Sequence, residues 1–153
     1  MSFSYPNENN SNNIHSHLQD SNYVLILDDE SDILSVIRLI LEDYGFNTCC
    51  FTKPNAALEH YKISPNNHDL VISDLQMPYM NGFEFIRKVK EINSNVKAFL
   101  MTSSLQTNDS GLLLLPNTNP ISSSLNLIID EFILKPFSVQ KLVELIRKHI
   151  GHV

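Results

Sequence analysis

The sequence predicts an α/β fold, a five-stranded parallel sheet covered by helices on both faces. Three observations lead there. From Tyr23 onward, short apolar runs alternate with segments of helical periodicity, which is the pattern of a parallel sheet whose crossovers are helices. The apolar runs are continuous rather than alternating, which suits strands buried on both sides. A length of 153 residues, 42% hydrophobic and 18% charged, matches one domain with one buried core.

The elements follow in order. Tyr23-Val-Leu-Ile-Leu27, bounded by acids, is the first strand. Ser31 to Tyr44 carries Ile33, Val36, Ile37, Ile40 and Leu41 at helical spacing, and Gly45 stands where a helix C-cap takes positive φ. Phe46 to Thr52 reads as a weaker strand, because it holds Asn47, Cys49 and Cys50. Pro54 opens a short helix through Ala57, Leu58 and Tyr61, proline being tolerated in a first turn. Asp69 to Ser73 is the third strand, Asn81-Gly82 a turn, and Phe83 to Ile92 a helix with Phe85, Ile86 and Val89 on one side. Val96 to Met101 is the fourth strand and Phe132 to Leu134 the fifth. Ser138 caps a last helix through Leu142, Val143, Leu145, Ile146 and Ile150.

Two stretches break the alternation. Residues 1–22 include Asn7-Glu-Asn-Asn-Ser-Asn-Asn13 and few apolar groups. Such a segment buries too little surface to offset its ordering entropy, so a disordered tail or a partner-binding arm is expected. Ser103 to Glu131 holds Pro116, Pro120, many Ser and Asn, and Leu112-Leu-Leu-Leu115. This irregular, extended connection leaves room for a helix from about Pro120 to Ile129. The leucine run is either local core or an exposed partner patch. Ile150 is followed by three residues, so no output module is expected.

Composition excludes several classes. No apolar run approaches the ~18 residues of a membrane span, and no basic start leads into an apolar stretch, so neither membrane insertion nor secretion is expected. The two cysteines, Cys49 and Cys50, are neighbours, which rules out a disulfide framework and fits a reducing cytoplasm. In a strand they face alternate sides, a structural rather than a redox placement. The net charge is −6 with no Lys/Arg cluster, which argues against direct nucleic-acid binding. The six histidines are scattered, with His15 and His17 in the tail, and form no metal cluster by spacing.

The informative polar residues sit at strand ends. Leu27 is followed by Asp28, Asp29 and Glu30, Ser73 by Asp74, Met101 by Thr102, and Leu134 by Lys135-Pro136. In an open parallel sheet these C-terminal ends form the ligand-binding edge. With a strand order of 2-1-3-4-5, Asp74 would lie between Asp29 and Thr102. Converging carboxylates raise each other's pKa unless a cation intervenes. Oxygen-only donors select a hard ion, with Mg²⁺ the best match. A lysine neutralises a phosphoryl oxygen, a threonine hydroxyl donates to another, and an aspartate can accept the phosphoryl group itself.

Asp28-Asp-Glu30, Asp74-Leu-Gln-Met-Pro-Tyr-Met-Asn-Gly82, Thr102 and Lys135-Pro-Phe137 together resemble the receiver domain of two-component response regulators, in its stand-alone, CheY-like form. The resemblance covers about Tyr23 to Ile150, so the chain divides into a tail (1–22) and a receiver domain (23–153). It implies a flavodoxin-like, doubly wound sheet of order 2-1-3-4-5. It further implies that Asp74 is the phosphoacceptor. Asp29, Asp74 and the Gln76 backbone carbonyl would ligate Mg²⁺, and Asp28 would act mostly through water. Thr102 is then the hydroxyl that moves to the phosphoryl group, Lys135 its ion-pair partner, and Phe132 the aromatic that swings inward, unless Phe132 is plain core. Ser103 is small, leaving phosphoryl access open.

The same resemblance implies phosphoryl transfer from a sensor histidine kinase or histidine phosphotransfer protein. Signalling would follow by phosphorylation-controlled binding of an unidentified downstream protein, as a monomer or a phosphorylation-dependent dimer, with autodephosphorylation but no conventional enzyme activity. The sequence departs from the family between Thr102 and Phe132, where the acidic, alanine-rich helix and its Gly-Ala turn are missing. One alternative is therefore a receiver-like scaffold that binds partners without phosphorylation, through a remodelled face of fourth helix, fifth strand and fifth helix. A second, an Mg²⁺ phosphohydrolase, lacks the acid expected just after the nucleophile, where Leu75 and Gln76 stand.

Overall fold

The computed structural model describes residues 23–107, 113–114 and 125–151. The expectations for the tail, for the leucine run's side chains and for a helix start near Pro120 lie outside the described residues.

The main elements are β1 (Tyr23–Leu27), α1 (Ser31–Asp43), β2 (Asn47–Phe51), α2 (Pro54–Ile63), a 3₁₀ turn (Pro65–Asn67), β3 (Leu70–Asp74), α3 (Gly82–Ile92) and β4 (Lys97–Thr102). They are followed by β5 (Gln106–Thr107), β6 (Leu113–Leu114), α4 (Leu125–Ile128), β7 (Glu131–Leu134) and α5 (Val139–Ile150). Strands β2-β1-β3-β4-β7 form one parallel sheet. This is the expected 2-1-3-4-5 order, with β7 in the fifth place.

The continuous apolar runs are explained by two cores, one on each side of the sheet. Leu25, Leu27, Val71 and Leu100 point to α2 and α3, against Ala57, Leu58, Tyr61, Phe85, Ile86 and Val89. The alternate residues Val24, Ile26, Ile72, Phe99 and Met101 point to α1 and α5, against Leu34, Ile37, Leu41, Leu142, Val143 and Ile146. Every strand residue from Leu70 to Asp74 is buried, as expected of a central strand. Edge strand β2 is only half-buried, which is why its sequence tolerates Asn47 and the cysteines. Cys50 packs on the α1 side, while Cys49 pairs in register with Leu25.

Helix ends match their caps. Gly45 follows α1 with φ 89°, and the Ser138 hydroxyl accepts from the Lys141 amide at 3.1 Å. Asn81-Gly82 is not a free turn but the start of α3, because the Asn81 side chain accepts from the Glu84 amide at 2.8 Å and makes Gly82 the first helical residue. Strands β3 and β4 each run one residue further than their apolar runs, taking in Asp74 and Thr102. Within Ser103–Glu131, the antiparallel pair β5–β6 precedes α4, a single described turn. Asp130 then fastens the start of β7 to β4: its carboxylate accepts from the Ala98 amide at 2.8 Å, and its own amide donates to the Ala98 carbonyl at 2.8 Å.

Candidate functional site

Register builds the site. Leu27 pairs with both Phe51 and Ser73, so Asp28 and Asp74 emerge level with each other one step further along adjacent strands. Asp74 pairs with Met101, and Thr102 with Leu134, the residue before Lys135. Backbone hydrogen bonds continue the sheet past its last strand residues, from Asp28 to Phe51 (3.1 Å), Leu75 to Met101 (2.8 Å) and Lys135 to Thr102 (2.8 Å). The chain is thus held rigid where the polar side chains begin.

Three carboxylates meet there. Asp28, Asp29 and Asp74 each place an oxygen within 4.8 Å of the others. Asp28 is fully buried and Asp74 nearly so, while Asp29 is exposed. The Lys135 ammonium bridges two of them, 2.9 Å from Asp28 Oδ2 and 3.0 Å from Asp74 Oδ1. The second Asp28 oxygen accepts from the Glu30 amide at 2.9 Å. Burial pushes the Asp74 carboxyl above its usual pKa; Lys135 opposes this, and the charges of Asp28 and Asp29 add to it. Burial disfavours the Lys135 ammonium, but its bonds to Asp28 and Asp74 outweigh that, and its pKa is raised.

Three carboxylates and one ammonium leave a net charge of about −2 at the sheet edge. Among the described residues the converging metal-ligating atoms are carboxylate oxygens of Asp28, Asp29 and Asp74, and Lys135 pairs with one Asp74 oxygen. This donor set fits a hard divalent cation.

The other expected residues lie around this cluster. Thr102 is buried, and its hydroxyl is engaged with Ser104, donating to the carbonyl at 2.9 Å. Ser103 is exposed between them. Phe132 is half-buried against the α2/α3-side core, close in sequence to Ile128 and Ile129 of the same cluster. Gln76 is exposed, two residues past Asp74. Gly82 has a role beyond local chain geometry. A Cβ there would overlap the Asp74 carbonyl oxygen and lie 2.8 Å from both its carbon and the Ser73 hydroxyl, so α3 starts directly against the backbone of Asp74.

One expectation needs correcting. The histidines are not all scattered: His60 and His68 converge with Cys49, each placing a donor atom within 4.8 Å of the others. Their separations, Cys-x10-His-x7-His, match no metal-binding spacing, so only the fold reveals the cluster. It forms because β2, α2 and the residue entering β3 meet at one edge of the sheet.

Comparison with known proteins agrees with this fold. Residues 24–147 match the response regulator receiver domain family. Response regulator SaeR of Staphylococcus epidermidis is 28% identical over 121 residues, which is 79% of this chain. The chain spans about half of that relative's length, 47%. Among solved structures, a response regulator receiver domain protein from Clostridium thermocellum superposes with a TM-score of 0.71 at 24% identity, covering 85% of this chain and 94% of that one. The chemotaxis protein CheY4 of Vibrio cholerae superposes with a TM-score of 0.67 at 22% identity, covering 84% and 98%. These two likenesses speak for the fold. With the matched family spanning the whole sheet and its acidic edge, this chain belongs to the response regulator receiver domains of two-component signal transduction.

Proposed function

We propose that Asp74 accepts a phosphoryl group from a phosphohistidine of a sensor kinase or phosphotransfer protein. The observation carrying this reading is the position of its carboxylate: on the central strand β3, paired to Lys135 at 3.0 Å, with Asp28 and Asp29 alongside. In the transfer, an Asp74 oxygen attacks phosphorus, a P–O bond forms, and the P–N bond to histidine breaks, leaving imidazole. The product is an acyl phosphate.

Asp28, Asp29, Asp74 and the Gln76 carbonyl would hold Mg²⁺. When bound, the ion offsets negative charge on the phosphoryl oxygens. Lys135 holds a phosphoryl oxygen from the side of β7, giving up Asp74 Oδ1 while keeping Asp28 Oδ2. Ser73 and Gly82 fix the acceptor's backbone: the Ser73 hydroxyl donates to the Asp74 carbonyl at 2.9 Å, and the Gly82 amide donates to Leu75 at 2.9 Å.

The signal leaves through Thr102. Its hydroxyl exchanges Ser104 for a phosphoryl oxygen, and Phe132 follows by packing deeper against the core. Phosphorylation thereby biases a two-state element rather than creating a new one. The readout is protein binding at the face formed by α4, β7 and α5, in the cytoplasm, as a monomer or phosphorylation-dependent dimer. Hydrolysis of its own acyl phosphate resets the protein.

A second reading, a phosphorylation-independent scaffold, draws support from the same face. The single described turn of α4 and the β5–β6 pair depart from a regular strand–helix–strand crossover.

Intact mass after incubation with Mg²⁺ and a small-molecule phosphodonor tests the first reading. One added phosphoryl group in the parent, absent in Asp74→Asn and with chelator, is expected. Absence of any adduct with donor and kinase alike would overturn it in favour of the scaffold.

A further inference from the structure

We propose that Cys49, His60 and His68 form a zinc site, with three protein ligands and the fourth position open. It is separate from the acidic edge and does not depend on phosphorylation chemistry.

Placement comes first. Cys49 lies in the middle of β2 in register with Leu25, whose side chain belongs to the α2-side core. His60 is in the last turn of α2, and His68 directly follows the 3₁₀ turn, so three consecutive segments each contribute one donor. The donors lie within 4.8 Å of one another. A tetrahedral zinc with bonds of about 2.0–2.3 Å needs donors about 3.3–3.7 Å apart, so a closure of at most about 1.5 Å completes the set.

The imidazoles are already held. His68 is buried, and its Nδ1 lies 3.3 Å from the Ser64 carbonyl. A carbonyl only accepts, so this contact favours the tautomer with the proton on Nδ1 and the lone pair on Nε2. A backbone carbonyl on the second ring nitrogen is the usual device for orienting a metal-bound histidine. The Phe51 ring packs 5.0 Å from His60 and the Tyr61 ring 5.4 Å from His68, while the two imidazoles meet edge-on at 5.3 Å. Burial, then the neighbouring His60, lowers the His68 pKa, which favours the neutral ring a metal requires. Burial raises the Cys49 thiol, so it is protonated when empty; zinc binding forms the S–Zn bond and releases that proton to solvent.

The donor set chooses the ion. One thiolate with two imidazoles favours a borderline-soft cation of tetrahedral preference, whereas the carboxylates of the acidic edge favour Mg²⁺. The two sites therefore select different ions. Bound zinc would tie β2, the end of α2 and the start of β3 together.

Cobalt(II) titration of the full 153-residue chain tests this, with a phosphine reductant and excess Mg²⁺. One equivalent should produce a thiolate-to-cobalt charge-transfer band and tetrahedral visible bands, both bleached by Zn²⁺. They should persist in Cys50→Ser and Asp74→Asn and disappear in Cys49→Ser and His60→Asn, with folding checked by circular dichroism. Zn²⁺ should also raise the Tm of the parent by several degrees and leave that of Cys49→Ser unchanged. A folded parent with no sulfur-linked band and no Tm shift, or a band that survives Cys49→Ser, would overturn the proposal and leave a packed histidine pair.

Discussion

Lys135 Nζ stands 2.9 Å from Asp28 Oδ2 and 3.0 Å from Asp74 Oδ1, so one ammonium from the end of β7 links the ends of β1 and β3. Asp28 and Lys135 are 107 residues apart in sequence. The carboxylate of Asp28 has no solvent exposure and the lysine side chain 17%, so their mutual attraction is little screened. Removing one partner strands the other in a poorly hydrated site.

Lys135→Met should therefore destabilise the metal-free protein by about 3 kcal/mol, the usual penalty for an uncompensated buried charge. Urea denaturation with and without Mg²⁺ checks this. Added Mg²⁺ should recover a larger share of stability in the variant than in the parent, because it replaces the missing positive charge.

Asp74→Asn should act in the opposite direction. Burial raises the Asp74 pKa, so the folded state holds this proton more tightly than the unfolded chain does. Stability then falls as pH rises through the interval between the unfolded value, 3.8, and the higher folded one. In chelator at neutral pH, the neutral amide should gain about 1 kcal/mol, and the parent's decline over that interval should shrink. Denaturation midpoints from pH 4 to 7 measure both.

Gly82→Ala should couple stability to function. A methyl group at this position meets backbone atoms of Asp74, which cannot rotate away as a side chain would. The helix must retreat or the acceptor must move. The expected cost is about 1–3 kcal/mol, with slower phosphorylation by a small-molecule donor in the fraction that folds. Full phosphorylation at the parental rate would show that α3 yields without disturbing Asp74.

Asp130→Asn should reveal an acid-sensitive clasp. Burial opposes the charged carboxylate, but the Ala98 amide, Lys90 and Lys97 together outweigh it and hold the pKa below 3.8. A depressed folded pKa gives stability that is fully present above the unfolded value and lost as pH falls through the folded one. The variant should lose about 1–2 kcal/mol at pH 7 and progressively less as pH falls below 3.8. Parallel acid and urea titrations would show the two curves converging at low pH.

Thr102→Ala should separate phosphorylation from switching. Among the described residues the side chain bonds to Ser104, accepting from its amide at 3.2 Å and donating to its carbonyl at 2.9 Å, so stability should change by about 1 kcal/mol or less. Mass gain from a phosphodonor should persist, whereas amide chemical-shift changes in β7 and α5 on phosphorylation should be reduced. Undiminished shifts would remove Thr102 from the relay.

Sequence by itself determined the five strands of the main sheet, their buried character and the acidic edge, but not the β5–β6 pair. Leu70 to Ser73 is apolar enough to be unmistakable, and in a parallel sheet the residues just after such a run have one place to go. Local caps at Gly45 and Ser138 were equally legible, since each depends on a single residue's backbone freedom or hydroxyl. Tertiary structure alone decided what depends on register and on packing between distant segments. The overlap that excludes a side chain at Gly82 exists only because α3 abuts β3, and the Asp130 clasp exists only because β7 lies beside β4. The meeting of Cys49, His60 and His68 has the same origin: three segments with unrelated spacings converge because α2 packs across the edge of the sheet, a distance that periodicity along the chain does not encode.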